Sequence, residues 1–345
     1  MCIIALMSLR SEIGEQPAAV ARLLAEGAAD ARRLGGLLSR AKHLTVAARG
    51  SSDNAATYGK YLFEGLARIV TASAAPSLVT RYGTPPRYRG GAVIGISQSG
   101  AAPDVSAVIA AARRDGALTI AITNRASSAL ARAAEHVFEL RCGPERAIAA
   151  TKTYTSSCVA LAMLAGAAAS RPLQFADLPQ AMREAVDSEP EAARIARKIG
   201  SARALVVLGR GYAYAAALET ALKIKELARV WAEPYSSADF AHGPRALLER
   251  GTPVLILGAR GATERETRSL AAALRRRGAR VYAITDDEAL AAKVDDAVLL
   301  RRAVGELLSP IVLVVAAQHV AAHVARRHGR DPEKPAGLSK VTRTL

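Results

Sequence analysis

Two loops in the first half of this chain bring serine and glycine to the same kind of turn, Gly50-Ser51-Ser52 and Ser97-Gln98-Ser99-Gly100. Each follows a short apolar run and opens a helical pattern. Backbone N–H groups at a helix start, with hydroxyls beside them, are the donors that a phosphate-like anion needs. Serine there is also an ordinary helix cap, so one such loop alone decides nothing. The deciding feature is a repeat. Val46-Ala47-Ala48-Arg49-Gly50 through Leu66-Ala67-Arg68-Ile69 aligns without a gap on Val207-Leu208-Gly209-Arg210-Gly211 through Leu227-Ala228-Arg229-Val230, 161 residues later (210 − 49 = 161), and Gly100 falls on Gly261. Where the first copy reads Ser97-Gln98-Ser99-Gly100, the second reads Gly258-Ala259-Arg260-Gly261. A core needs no serine at this turn, whereas an anion does, so the first copy is expected to hold the anion. Ala149-Ala150-Thr151 is a third candidate for the same site. No GxxxxGK[ST] is present, and Gly209-Arg210-Gly211-Tyr212-Ala213 lacks the third glycine of a dinucleotide fingerprint, which disfavours a nucleotide.

Proton-moving side chains cluster in the second copy. Glu219, Lys223 and Glu226 stand at i, i+4 and i+7 of its first helical pattern and share one face. Ion pairing along a helix accounts for Glu219 and Lys223; Glu226 falls where a wall of the cleft between two lobes is expected. His242, in Asp239-Phe240-Ala241-His242-Gly243-Pro244, sits between turn residues and is either a proton shuttle or an inert loop histidine. His319 and His323 share a helical face without a third ligand, so they read as packing or surface residues, and no metal site is expected. Lys340, near the C-terminus, is an amine nucleophile, an electrostatic partner or a solvated tail lysine.

These residues need a scaffold that carries them on strand ends and helix starts. An N-terminal helix is predicted over 17–38. Copy one then alternates strand (44–48), helix (54–66), strand (92–96), helix (103–114) and strand (118–123). Copy two follows with strand (204–208), helix (213–229), strand (253–257), helix (264–277) and strand (280–285). Near-continuously apolar strands alternating with helices indicate parallel sheets covered on both faces, and right-handed crossovers make them doubly wound. The fold class is therefore α/β, two tandem three-layer domains. The expected boundaries are an N-terminal helical segment (1–40), a phosphate-binding domain (41–175), a catalytic domain (191–328) and a tail over the site (329–345). A further helix is predicted over 147–170 and a linker over 171–190.

Composition narrows the function classes. The net charge is +16, but its arginines are spread over Ala-rich helices without a nucleic-acid-binding motif, so no nucleic-acid partner is expected. A basic field also steers small anions. The longest apolar runs, 158–169 and 311–325, are too short to span a bilayer, and the N-terminus lacks a signal-peptide pattern. Three cysteines, Cys2, Cys142 and Cys158, form neither a CxxC nor a disulfide framework, which suits a reducing cytoplasm.

Taken in order, the Gly50-Ser51-Ser52 turn, Ser97-Gln98-Ser99-Gly100, Ala147-Ile148-Ala149-Ala150-Thr151-Lys152-Thr153, Glu219 to Glu226, His242-Gly243-Pro244 and Leu338-Ser339-Lys340-Val341-Thr342 resemble the double sugar-isomerase (SIS) domain family. The resemblance is nearest to the isomerase half of glucosamine-6-phosphate synthase and to stand-alone SIS-type glucosamine-6-phosphate deaminases. It implies that Gly50, Ser51, Ser52, Ser97, Gln98 and Ser99 hold a sugar phosphate, with Ile148, Ala149 and Thr151 closing the site. It further implies that Glu226 moves a proton between C1 and C2 and that His242 reaches in from a second subunit of a homodimer to assist ring opening. Lys223 and Lys340 would flank the open-chain sugar, with Lys340 forming an imine or acting without one. Ala102 and Ala150 stand where the synthase commonly has hydroxyl residues. Fewer than fifty residues precede the first strand, so glutaminase activity is not expected and Cys2 is not read as a nucleophile. The implied activity converts glucosamine 6-phosphate and water to fructose 6-phosphate and ammonia without metal or redox cofactor. The alternatives are an isomerase or deglycase of another amino-sugar or fructosamine 6-phosphate, and a non-catalytic sugar-phosphate sensor.

Overall fold

The structure, a computed structural model, describes residues 8–340; Cys2, Val341 and Thr342 lie outside the described residues. The chain divides into two compact units. Among the described residues, the first-copy unit holds Ala18–Glu145, Lys152–Gln174, Ser339 and Lys340; the second-copy unit holds Ser8 to Pro17, Arg146–Thr151 and Phe175–Leu338.

In the first-copy unit, β1 (Leu44–Ala47), β2 (Thr71–Ser73), β3 (Ala92–Ile96), β4 (Leu118–Thr123) and β5 (His136–Glu139) form one parallel sheet in the order β2-β1-β3-β4-β5. Its helices, beginning with an α1 that starts in the other unit, are α1 (Leu9–Glu26), α2 (Ala28–Leu38), α3 (Ser51–Leu62), α4 (Pro76–Thr80), α5 (Pro103–Arg114), α6 (Ala129–Ala133) and α7 (Lys152–Ala168). On one face α5, flanked by α4 and α6, buries Val105, Val108 and Ile109 against Ala47, Val93 and Ala121. The neighbouring strand residues, Val46, Ile94 and Ile120, alternate to the opposite face, where α3 packs against α7 and α7 against α2.

The second-copy unit repeats this plan. Its strands are β6 (Ala204–Gly209), β7 (Trp231–Ser236), β8 (Pro253–Gly258), β9 (Arg280–Thr285) and β10 (Asp296–Leu299), all parallel in the order β10-β9-β8-β6-β7. Its helices are α8 (Leu178–Asp187), α9 (Glu189–Ile199), α10 (Ala213–Ala228), α11 (Ser237–Ala241), α12 (Glu264–Arg276), α13 (Glu288–Ala291) and α14 (Ser309–Arg327). The duplication extends to single backbone angles: Gly50 and Gly211 have φ of 56° and 58°, and Arg68 and Arg229, both left-handed after a helix end, have 57° and 55°. Two doubly wound parallel sheets are thus present, as the strand and helix alternation predicts.

The differences from the sequence expectation have local causes. The N-terminal helix is two helices, because Gly27 ends one and caps the next; a Cβ there would lie 2.7 Å from the Leu23 carbonyl oxygen. The helix predicted from residue 147 begins only at Lys152. Glu12, fully buried, takes the Arg146 and Ala147 N–H groups at 2.6 and 3.3 Å and holds this stretch out of the helix. The predicted linker contains α8 and the start of α9. Leu178, Ala181, Met182 and Ala185 form a narrow buried stripe at i, i+3, i+4 and i+7 within otherwise polar sequence. Four strands that the pattern missed, β2, β5, β7 and β10, lie at sheet edges; β7 carries Pro234, which an edge tolerates. Residues 329–340 carry turns but neither helix nor strand.

His319 and His323 belong to the packing of α14. His319 is 3% exposed with its Nε2 unbonded among the described residues, while His323 meets Glu189 at 3.1 Å. Burial drives the His319 pKa from 6.5 to about 4, opposed by Glu189 and reinforced by the positive potential of His323, Arg10 and Arg326. A folded-state value below the unfolded one means that the unfolded chain binds the extra proton. Stability therefore falls as pH drops from about 6.5 towards 4 and is independent of this group above that window. At pH 5 the histidine is expected to cost about 2 kcal/mol. Thermal unfolding of His319→Met should thus lose less stability than the parent between pH 7.5 and pH 5; equal losses would refute the assignment.

Candidate functional site

The two serine loops leave adjacent strands. β1 and β3 are paired in register, Ala47 opposite Gly95, and the sheet order reverses between them. Ligands of open parallel sheets bind beyond the carboxyl ends of strands at such a switch point. Gly50 caps α3, and Ser51 and Ser52 are its first two residues; α5 is capped by Ala102. None of the serines is therefore a helix cap. The hydroxyls of Ser51, Ser52 and Ser97 make no hydrogen bond among the described residues, and Ser99 Oγ only accepts a 3.3 Å bond from Ala101 N–H. Ser97 is 9% exposed, and Gln98 and Ser99 are half-buried.

Two contacts fix these loops. Arg49, just before Gly50, pairs through Nε with buried Asp104 Oδ2 at 2.7 Å and so ties the first loop to the start of α5. Gly100 has φ +59°, and a Cβ would lie 2.0 Å from Ser128 Oγ, the cap of α6. Only glycine lets the second loop lie that close.

The equivalent turn in the second copy is filled by the protein's own carboxylates. Asp286 accepts Arg260 N–H at 2.8 Å, Glu264 accepts Gly261 N–H at 3.2 Å and Glu306 accepts Ala262 N–H at 2.9 Å. A Cβ on Gly261 would lie 2.3 Å from Glu306 Oε2. Three negative groups on the donors exclude an anion, so the copies differ in charge as well as in hydroxyls. The missing serines are visible in the sequence, whereas Asp286 and Glu306 lie 26 and 44 residues from the N–H groups they accept.

In the second-copy unit, α10 carries Glu219, Lys223 and Glu226 and packs on α14. Glu219 is 0% and Lys223 2% exposed, so this is no surface ion pair. Lys223 Nζ lies 3.4 Å from Glu219 Oε1 and donates to Glu226 Oε2. Burial opposes the ammonium, but the two carboxylates outweigh it and raise the lysine pKa above its ordinary value. The Glu226 side chain is 24% exposed. The result is a fixed cation between one carboxylate sealed in the core and another that solvent reaches.

The remaining predicted residues divide as follows. Ile148, Ala149 and Thr151 lie in the irregular stretch before α7; Ala149 and Thr151 are buried and the stretch groups with the second-copy unit. His242 is exposed at the end of α11, its N–H donating to Asp239 O at 3.0 Å. Lys340 lies in the first-copy unit and donates to Glu145 Oε2 at 2.6 Å. Sequence reading missed Glu145; its signal was the Gly143-Pro144-Glu145 turn immediately before the Ala147 to Thr153 run. Among the described residues no cluster of three His, Cys, Asp or Glu could hold a metal, and no helix is long and apolar enough to cross a membrane.

Comparison with known proteins identifies the duplicated domain. The family model described as the SIS domain covers residues 37–167 and again 198–325. The chain belongs to the SIS domain family. Both SIS domains contain one five-stranded sheet. Among curated proteins, the chain is similar to a glutamine–fructose-6-phosphate aminotransferase (isomerizing) from Methanothermobacter thermautotrophicus, 35% identical over 95% of this chain and 56% of that protein. It spans about half the length of the curated relatives it matches. Among solved structures, it is similar to a protein of Silicibacter pomeroyi provisionally described as a phosphosugar isomerase, 36% identical with a TM-score of 0.80, covering 94% of this chain and 100% of that one. The C-terminal domain of glucosamine-fructose-6-phosphate aminotransferase from Francisella tularensis is 26% identical with a TM-score of 0.82, covering 96% of this chain and 99% of that one.

Proposed function

We propose that this chain is an isomerising deaminase of an amino-sugar phosphate, converting glucosamine 6-phosphate and water to fructose 6-phosphate and ammonia. The observation that carries this reading is the Glu219-Lys223-Glu226 arrangement, in which a solvent-reached carboxylate is held by a permanently charged lysine. Proton transfer next to a carbonyl needs a positioned base and a cation for the developing oxyanion. Glu226 takes the proton from C2 of the open-chain aldose and returns it to C1, while O1 gains a proton and the amine loses one, leaving an imine at C2 with no net change in protons. Water adds there and ammonia leaves, while Lys223 stabilises the charge on the sugar oxygen. Ser51, Ser52, Ser97, Gln98 and Ser99 bind the phosphate, with Gly50 giving the first loop its turn and Ile148, Ala149 and Thr151 closing the site. His242 of a second copy of the chain assists ring opening in a homodimer. Cys142 and Cys158 are buried, and burial followed by the charge of Glu145 pushes the Cys142 thiol up to about 12.

The test is a panel of hexosamine 6-phosphates and fructosamine 6-phosphate, assayed for ammonia and ketose together. Glucosamine 6-phosphate should yield both in equal amounts; binding without turnover would make the protein a sensor. Ser97→Ala should raise KM for the phosphorylated sugar by about 10-fold, since a hydrogen bond to a charged group contributes about 1.5–3 kcal/mol, and should change kcat little. An unchanged KM would remove Ser97 from the phosphate site.

A further inference from the structure

One buried charge in the first-copy unit has no part in the proton transfer. The Glu145 side chain is 0% exposed. Its Oε1 accepts Thr153 N–H at 3.0 Å, and its Oε2 accepts Thr153 Oγ1 at 2.7 Å and Lys340 Nζ at 2.6 Å. A carboxylate withdrawn from water persists where good donors satisfy it. Thr153, in the first turn of α7, sets the direction of this one. The ammonium comes from 195 residues away, in a segment with neither helix nor strand. Cys142, buried nearby, has its thiol pushed up by burial and then by the Glu145 charge. Lysine has a long, freely rotating side chain, and a rigid buried acceptor removes most of that freedom. The Lys340 side chain remains 24% exposed, so a small molecule can still reach it.

We propose that Glu145 is a positioning residue for Lys340: its buried carboxylate, aligned by Thr153, docks the tail and fixes the amine on the unit that carries the serine loops. The consequence for turnover rests on the function proposed above, whereas the docking itself does not.

Docking is tested on the full chain by acetylating lysines with a small amine-reactive ester at pH 8 and following the Lys340 adduct by mass spectrometry, with exposed Lys60 as reference. Glu145→Gln should speed Lys340 labelling about 10-fold relative to Lys60, because the ion pair that restrains Nζ is lost. Thr153→Val keeps the charge but loosens the carboxylate and should give a smaller rise of about 2- to 3-fold, a second reading should Glu145→Gln not fold. Labelling at the parental rate in the folded variants overturns the proposal. For turnover, Glu145→Gln should lower kcat about 100-fold, the scale of a misplacement of about 1 Å, with KM within 3-fold. It should cost nothing further in a Lys340→Ala background, whereas a purely structural role would give additive losses and overturn the proposal. A parent chain that turns over no sugar phosphate would sink the functional reading and leave the labelling result to decide the docking.

Discussion

Glu226→Gln is expected to lower kcat for ammonia release from glucosamine 6-phosphate by about 10³-fold, within the range of about 10²–10⁴ that a positioned acid-base group supplies. KM should stay near the parental value, because the proposed phosphate donors are the serine-loop residues and not Glu226. Glutamine has nearly the same shape, and its carbonyl oxygen can still accept the Lys223 Nζ–H that Glu226 Oε2 accepts. The thermal midpoint should therefore move little, and the lost activity reports chemistry rather than folding. Loss of exchange between the C1 or C2 proton and solvent should accompany the drop in rate, since both follow from one missing base. Ammonia release near the parental rate would remove Glu226 from the mechanism and with it the proposed reaction class.

Glu226 stands out in the sequence as a candidate, whereas Glu145 does not. Glu226 belongs to a helical period of i, i+4 and i+7, and the duplication placed its helix after the first strand of the second copy. The central strands β3, β4 and β9 were legible in the same way, as apolar runs bounded by turns, because a strand buried on both faces carries its signal in its own residues. Edge strands such as β2 and β10 are short and only partly buried, so their membership in the sheet is decided by neighbours. Helix α8 was hidden because four apolar residues suffice to bury one stripe among polar ones. The acceptors Glu145, Asp286 and Glu306 lie far in sequence from at least one donor each, from Lys340, Arg260 and Ala262 respectively. No local pattern reveals a hydrogen bond across that distance. The proposal that the serine loops donate to an anion comes from the contrast with a second copy that lacks the serines.

Lys223→Met should be the most damaging single change to stability in the second-copy unit. The substitution preserves length and apolar packing but removes the ammonium 3.4 Å from Glu219, whose side chain is fully buried. Breaking a buried pair by deleting one partner costs about 3–5 kcal/mol, because the remaining charge must be carried in the core or neutralised by a proton. For a domain of roughly 150 residues this corresponds to a fall in melting temperature of roughly 10 °C. Glu226, partly exposed, can recover water in place of the lost donor, so the penalty falls on Glu219. The double variant Glu219→Gln with Lys223→Met should regain most of the melting temperature, since a neutral amide needs no counter-ion, while remaining inactive because the cation is gone. Recovery of stability without recovery of turnover would separate the two duties of Lys223, holding Glu219 in the core and serving the reaction beside Glu226. If the double variant melted as low as the single one, charge compensation would not be what the lysine contributes. If Lys223→Met melted with the parent, the buried pair would carry no stability at all.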